Sequence, residues 1–132
     1  MKNMQGSCHC GAIVYEIKGK HFAADYCHCR SCQKITGAPI SAWMDFKVEQ
    51  IKWLDELPKE YASSEFIRRG FCDNCGSTLT YRHINHPEYI TLSITSLENP
   101  DLAHPNYHIY TESSVTWLDI NDDYPRFLQG KK

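Results

Sequence analysis

A mainly β fold of short, mostly antiparallel strands with one short helix is the class this sequence predicts. Three observations predict it. Apolar residues recur at every second position in several short runs. The intervals between those runs carry Gly, Pro, Asp and Asn. No segment shows the 3.6-residue periodicity of a long amphipathic helix. The 132 residues fit one domain, taken as 1–132, and 42% hydrophobic with 12% aromatic residues suits a folded core.

The elements follow in order along the chain. In "SCHCG" an extended strand would project Cys8 and Cys10 to the same side. "AIVYEI" places Ile13, Tyr15 and Ile17 on one face. "CHCRSC" carries Cys27, Cys29 and Cys32, and "RSCQKIT" predicts a helix over Arg30 to Thr36, with Gly37 as its stop. The amides and positive dipole end of that helix would favour thiolates at Cys29 and Cys32. "ISAWMDF" groups Ile40, Ala42, Met44 and Phe46 against Trp43 on the opposite side, and "IKWL" is a shorter strand. "FCDNCG" is a tight turn aiming Cys72 and Cys75 at one point, with Gly76 supplying backbone freedom. "STLTYR" pairs Leu79 with Tyr81, and "EYITLSI" puts Ile90, Leu92 and Ile94 together. Between Thr95 and Ser114 two prolines interrupt any pattern. That segment reads as a pocket wall, or as edge strand and turn.

Seven cysteines cannot all pair within one chain, and no export signal precedes them, so disulfides are disfavoured. Spacings of C-x-C and C-x-x-C suit a soft divalent metal, zinc first. Cys8, Cys10, Cys72 and Cys75 can form a closed four-sulfur site that clamps distant parts of the chain together. Cys27, Cys29 and Cys32 then remain, and three protein ligands with an open position mark a catalytic zinc. Three other readings stay open for this trio. His9 or His28 could close the site, although His28 would point away from its neighbours in an extended segment. His21, His83, His86, His104 or His108 could reach it only through the fold. Two of the cysteines could also oxidise to a disulfide.

Composition excludes other classes. The formal net charge of −2, and the shortness of the runs at Arg68–Arg69 and Lys131–Lys132, argue against nucleic-acid binding. No apolar run approaches the ~20 residues of a membrane span. "MKNMQGSCHCG" has no signal-peptide core, which predicts a soluble cytoplasmic protein with no membrane partner.

The three cysteine motifs, in this order, resemble the family of glutathione-dependent formaldehyde-activating enzymes, which includes centromere-protein-V-like proteins. The resemblance is carried by Gly6–Ile17, Cys27–Trp43, Phe71–Tyr81 and the tail "SLENPDLAHPNYHIYTESSVTWLDINDDYPRF", and spans about residues 4–128. It implies a Mss4-like β-fold with two zinc ions per chain. Cys8, Cys10, Cys72 and Cys75 would hold a structural zinc, and Cys27, Cys29 and Cys32 a catalytic one. It also implies carbon–sulfur lyase chemistry on a thiol such as glutathione and formaldehyde or a related aldehyde, or their adduct.

The chemistry of the trio fits that expectation. Zinc held by three thiolates carries a net negative charge. It is better suited to holding an incoming thiol as thiolate than to making a potent hydroxide. A free thiol, with a pKa of ~8.5, is mostly protonated at neutral pH, and coordination removes that proton. The sulfur then adds to an aldehyde carbonyl, with His28 or His108 as candidate proton carriers if either is not simply satisfied in the fold. Arg30, Lys34, Arg68, Arg69 and Arg82 are candidate partners for glutathione's carboxylates, or ordinary surface residues. The competing readings are a zinc-stabilised binding or chaperone-like module without catalysis, and a redox or zinc sensor.

Overall fold

The computed structural model describes residues 4–131, so the outermost residues of the expected 1–132 span, Lys132 among them, lie outside the description. Among the described residues ten strands form two sheets. The first has three strands in the order β1 (Met4–Ser7), β2 (Val14–Ile17), β5 (Ile51–Trp53). The second has seven. In spatial order they are β10 (His108–Ile109), β3 (Ala23–Cys27), β4 (Ser41–Lys47), β9 (Tyr89–Ser93), β8 (Thr78–His83), β7 (Ile67–Phe71) and β6 (Lys59–Ala62). Every pairing is antiparallel except β10 with β3. The one α-helix among the described residues, α1, runs from Arg30 to Thr36 and ends on Gly37 in the left-handed region, as "RSCQKIT" followed by Gly predicts.

The two sheets meet in an apolar core. Tyr15 and Ile17 of β2 pack with Ala24 of β3, Met44 and Phe46 of β4, and Leu92 of β9. Period-two alternation puts all of these residues except Ala24 on core-facing sides, and burial of that face is the main stabilising term for such a sheet. Trp43 lies on the other side of β4, as its phase requires. A second cluster joins Ile13, Leu79, Cys8 and Cys72, with Trp53 packed against both clusters. Trp53 meets Tyr15 edge-on, with ring centroids 5.6 Å apart.

Two expectations need correction. Cys8 and Cys10 do not share a strand: β1 ends at Ser7, and both cysteines lie in the turn before β2. Leu79 and Tyr81 do not share a face. The β7–β8 ladder slips between Gly70 and Phe71, so Leu79 is an extra residue that turns toward Cys8 and Cys72, while Tyr81 packs with Trp43. Strands β3, β6, β7 and β10 did not stand out in the sequence. In β3 and β7 the reason is that one face carries polar residues, Asp25 and Arg69, that are buried all the same. Among the described residues no helix is long and apolar enough to cross a membrane.

Phe46 has no solvent exposure and lies at the centre of the inter-sheet core. Phe46→Ala should lower the unfolding free energy of metal-loaded protein by about 3–5 kcal/mol in urea denaturation. A loss under ~1 kcal/mol would mean that the two sheets do not pack as described.

Candidate functional site

Two groups of sulfurs converge. The Cys8, Cys10, Cys72 and Cys75 sulfurs lie within 4.8 Å of one another, and so do those of Cys27, Cys29 and Cys32. All seven cysteines are free. Clustered, unoxidised sulfurs are the donor set a soft divalent ion takes, so both groups fit a metal.

The four-sulfur group is built from two similar turns. One follows β1 and the other follows β7. In each, a glycine just after the second cysteine adopts a positive φ, 82° at Gly11 and 81° at Gly76, which a larger side chain would resist. Backbone amides and side chains then aim at sulfur. The Ile13 amide donates to Cys8 Sγ at 3.3 Å, and Asn74 Nδ2 donates to Cys10 Sγ at 3.2 Å. The Ser77 hydroxyl lies 3.1 Å from Cys75 Sγ and, with nearby amides, holds that thiol down to about 5. The His9 amide donates to Ser77 Oγ at 2.9 Å, tying the turns together. His9 itself is exposed and is not part of the cluster.

The three-sulfur group sits where β3 runs into α1. Cys27 ends the strand, Cys29 is the helix N-cap, and its Sγ accepts the Cys32 amide at 3.2 Å. Hydrogen bonds from Cys27 and Cys29, with the Arg69 guanidinium behind them, hold the Cys32 thiol far below its ordinary range. The same sharing, reinforced by burial, pushes Cys27 up.

Arg69 is only 4% exposed. Both of its terminal nitrogens lie 3.6 Å from Cys32 Sγ, its Nε reaches Ser63 Oγ at 3.3 Å, and its guanidinium carbon lies 5.0 Å from the centre of the Tyr81 ring. Among the described residues no carboxylate pairs with it. A buried guanidinium needs a counter-charge, and here that counter-charge is sulfur. The expectation of a surface Arg69 is therefore wrong. The other candidate cations do lie at the surface. Arg82 pairs with Glu60 at 2.7 Å, Arg68 caps loop carbonyls, Arg30 donates to Gln33, and Lys34 is exposed.

His28 points away from the sulfurs, as its place between two of them predicts. Its Nε2 is 2.8 Å from His108 Nδ1, and His108 Nε2 is 3.0 Å from Asp122. An ionised Asp122 only accepts, so His108 donates to it and in turn accepts from His28. Arg126 completes the group through its 2.9 Å contact with Asp122. This buried chain fastens the cysteine loop to the tail and uses both histidines. Among the described residues no histidine lines the pocket described next.

The sulfur trio opens on a cavity of about 460 Å³. Its floor is the polar face of the large sheet. Register partners Asp45, Thr91, Tyr81 and Arg69 cross β4, β9, β8 and β7 in a row, while Asp25 and Cys27 line it from β3. Tyr107, Ile109 and Tyr110 form a wall, so the segment between Thr95 and Ser114 does supply a pocket side. Tyr110 holds φ at 55°, uncommon outside glycine, and its amide donates to Gln129 O at 3.1 Å. The four-sulfur group is not part of this cavity. Spacing had pointed to the cysteines. It could not find Asp25, Asp45, Thr91 or Tyr107, because single polar residues in short strands have no motif.

Comparison with known proteins adds a family. A family model described as glutathione-dependent formaldehyde-activating enzyme matches residues 3–113. An uncharacterized lyase of Schizosaccharomyces pombe is 32% identical over 85 residues, 64% of this chain and 61% of that protein. The chain thus matches less than two thirds of that relative's length. A Halomonas elongata protein, provisionally named a glutathione-dependent formaldehyde-activating enzyme, is 24% identical over 127 residues, 89% of this chain and 80% of that one. In fold, the chain is similar to the crystal structure of a Rhodobacter sphaeroides protein. The TM-score is 0.61 and the identity 24%, over 77% of this chain and 97% of the other.

Arg69→Met should weaken metal binding by the three-sulfur group about 10–100-fold and leave the four-sulfur group unchanged. Cobalt titration followed by thiolate charge-transfer absorption resolves the two. Equal affinities in wild type and variant would show that Arg69 does not support the sulfurs.

Proposed function

Because the chain belongs to the family of glutathione-dependent formaldehyde-activating enzymes, we propose that it joins a small thiol such as glutathione to formaldehyde or a related aldehyde, or runs the reverse carbon–sulfur lyase reaction. One observation carries the reading to particular residues. Of the two sulfur groups only Cys27, Cys29 and Cys32 open on the cavity, and the four-sulfur group lies outside it. A zinc ion held by the trio would supply a cationic seat for the incoming sulfur as thiolate. A second zinc held by Cys8, Cys10, Cys72 and Cys75 would be structural. Absence of a histidine from the three-sulfur group, among the described residues, supports an open site over a closed one.

The chain's own residues have defined parts in this scheme. Arg69 offsets the negative charge of the sulfurs and holds Cys32 in place. Tyr81, Tyr107 and Trp43 wall the cavity and exclude water from the reacting carbon. In the forward direction the thiol gives up its proton and its sulfur bonds to the carbonyl carbon. The π pair moves to oxygen, which takes a proton and becomes a hydroxyl. Nothing is oxidised, and the S-hydroxyalkyl product contains all the atoms of thiol and aldehyde. Seven free cysteines suit the reducing cytoplasm, and we place the protein there as a single domain spanning 1–132 without a nucleic-acid partner.

The test is exchange NMR of ¹³C-formaldehyde with glutathione. Metal-loaded wild type should accelerate adduct formation. Cys32→Ser should lose about tenfold or more of that acceleration while keeping the ion at the four-sulfur group. No acceleration by the wild type would remove this function.

A further inference from the structure

The cavity has a second, chemically distinct end. Along β3 the pocket face passes from Cys27 to Asp25, ~7 Å away at two residues of strand rise. Across the ladder Asp25 pairs with Trp43, and Asp45 lies one step further, opposite Ala23. Asp25 is 6% exposed, and its Oδ1 is buried without any hydrogen-bond partner. Asp45 Oδ1 accepts the Thr91 hydroxyl at 2.6 Å. Neither carboxylate has a Lys or Arg partner among the described residues. Among the described residues two cations line the cavity, and Arg69 is turned to Cys32 while Lys131 lies over the Tyr107 ring. His21 approaches Asp45 but does not line the cavity.

Two carboxylates share this cleft, Asp25 buried with an oxygen to spare and Asp45 half-buried, and a positive partner would hold them ionised. What surrounds them is aromatic: Trp43, Tyr81 and Tyr107. Carboxylates flanked by π faces are the chemistry that recognises an organic ammonium. The chain supplies a sample of that contact, since Lys131 Nζ lies 4.5 Å from the centre of the Tyr107 ring at the cavity edge. A metal ion suits this end less well, because Asp25 and Asp45 belong to no cluster of three or more ligating groups.

We propose that Asp25 and Asp45 form a subsite for an ammonium group, so that the thiol substrate is an amino-thiol. Its sulfur goes to the cysteine end and its free amine to the carboxylate end. The inference rests on the proposed function for the sulfur end. Glutathione meets the requirement through the amine of its γ-glutamyl arm, and thiols with a blocked amine do not.

Calorimetric titration of the metal-loaded protein with glutathione and with N-acetylglutathione tests this without turnover. The two probes share one thiol and differ in the ammonium. Wild type should bind glutathione about tenfold or more tightly than the blocked thiol, as a charge-assisted contact requires. Asp25→Asn and Asp45→Asn should each shrink that preference to within about threefold. Equal affinities in wild type overturn the proposal, as does undetectable binding of glutathione or a preference that survives in both variants. If Asp25→Asn does not fold, the wild-type comparison and Asp45→Asn decide. The two proposals fail separately. Selective binding without adduct formation removes the reaction alone, and adduct formation that is equally fast with both thiols removes the subsite alone.

Discussion

Three sulfurs within 4.8 Å of one another cannot all be thiolates unless a positive charge stands among them. That constraint organises the rest of the structure. The helix α1 begins inside the cysteine loop, so its free amides face sulfur, and the Cys32 amide already donates to Cys29. Arg69 brings a desolvated guanidinium from four strands away and, among the described residues, meets Cys32 sulfur and no carboxylate. A bound cation would offset the remaining charge. Such a site must be held by a rigid frame, because every group in it is unfavourable alone.

The frame is the large sheet, with its two faces put to different uses. One face carries Ala24, Met44, Phe46 and Leu92 and is covered by the small sheet. The other carries Cys27, Arg69, Tyr81, Asp25 and Asp45, with Cys29 and Cys32 beside it at the start of α1, and stays open as a cavity. The four-sulfur cluster draws the turn after β1 onto the turn after β7, linking the sheets where the apolar core thins to Cys8, Ile13, Cys72 and Leu79. On the far side the His28–His108–Asp122 chain ties the cysteine loop to the tail. The trio is thus anchored from both directions without a ligand spent on either anchor.

This division explains which parts could be read from the sequence. Residues on the core face alternate with apolar period two, so β2, β4 and β9 were visible with their buried residues. The cysteine spacings were visible because sulfur pairs have few other uses at C-x-C and C-x-x-C. Strands β3 and β7 were hidden because their cavity-facing residues, Asp25 and Arg69, are charged and buried, and alternation of hydrophobicity cannot register that. Position Leu79 misled because a bulge changes the face of a residue without any mark in composition. Arg69 meets Cys32 of α1, 37 residues away, and Asp25 shares a cavity with Asp45 and Tyr81, so only the fold joins them.

The most direct measurement counts zinc per chain in freshly purified, reduced protein and records X-ray absorption at the zinc edge. The account predicts two zinc ions per chain, with an average first shell of between three and four sulfurs and no histidine pattern in the outer-shell scattering. One zinc with four sulfurs would contradict it, because the cysteines facing the cavity would then hold no ion. Imidazole scattering would contradict it too, because a protein histidine would close the position the substrate sulfur needs.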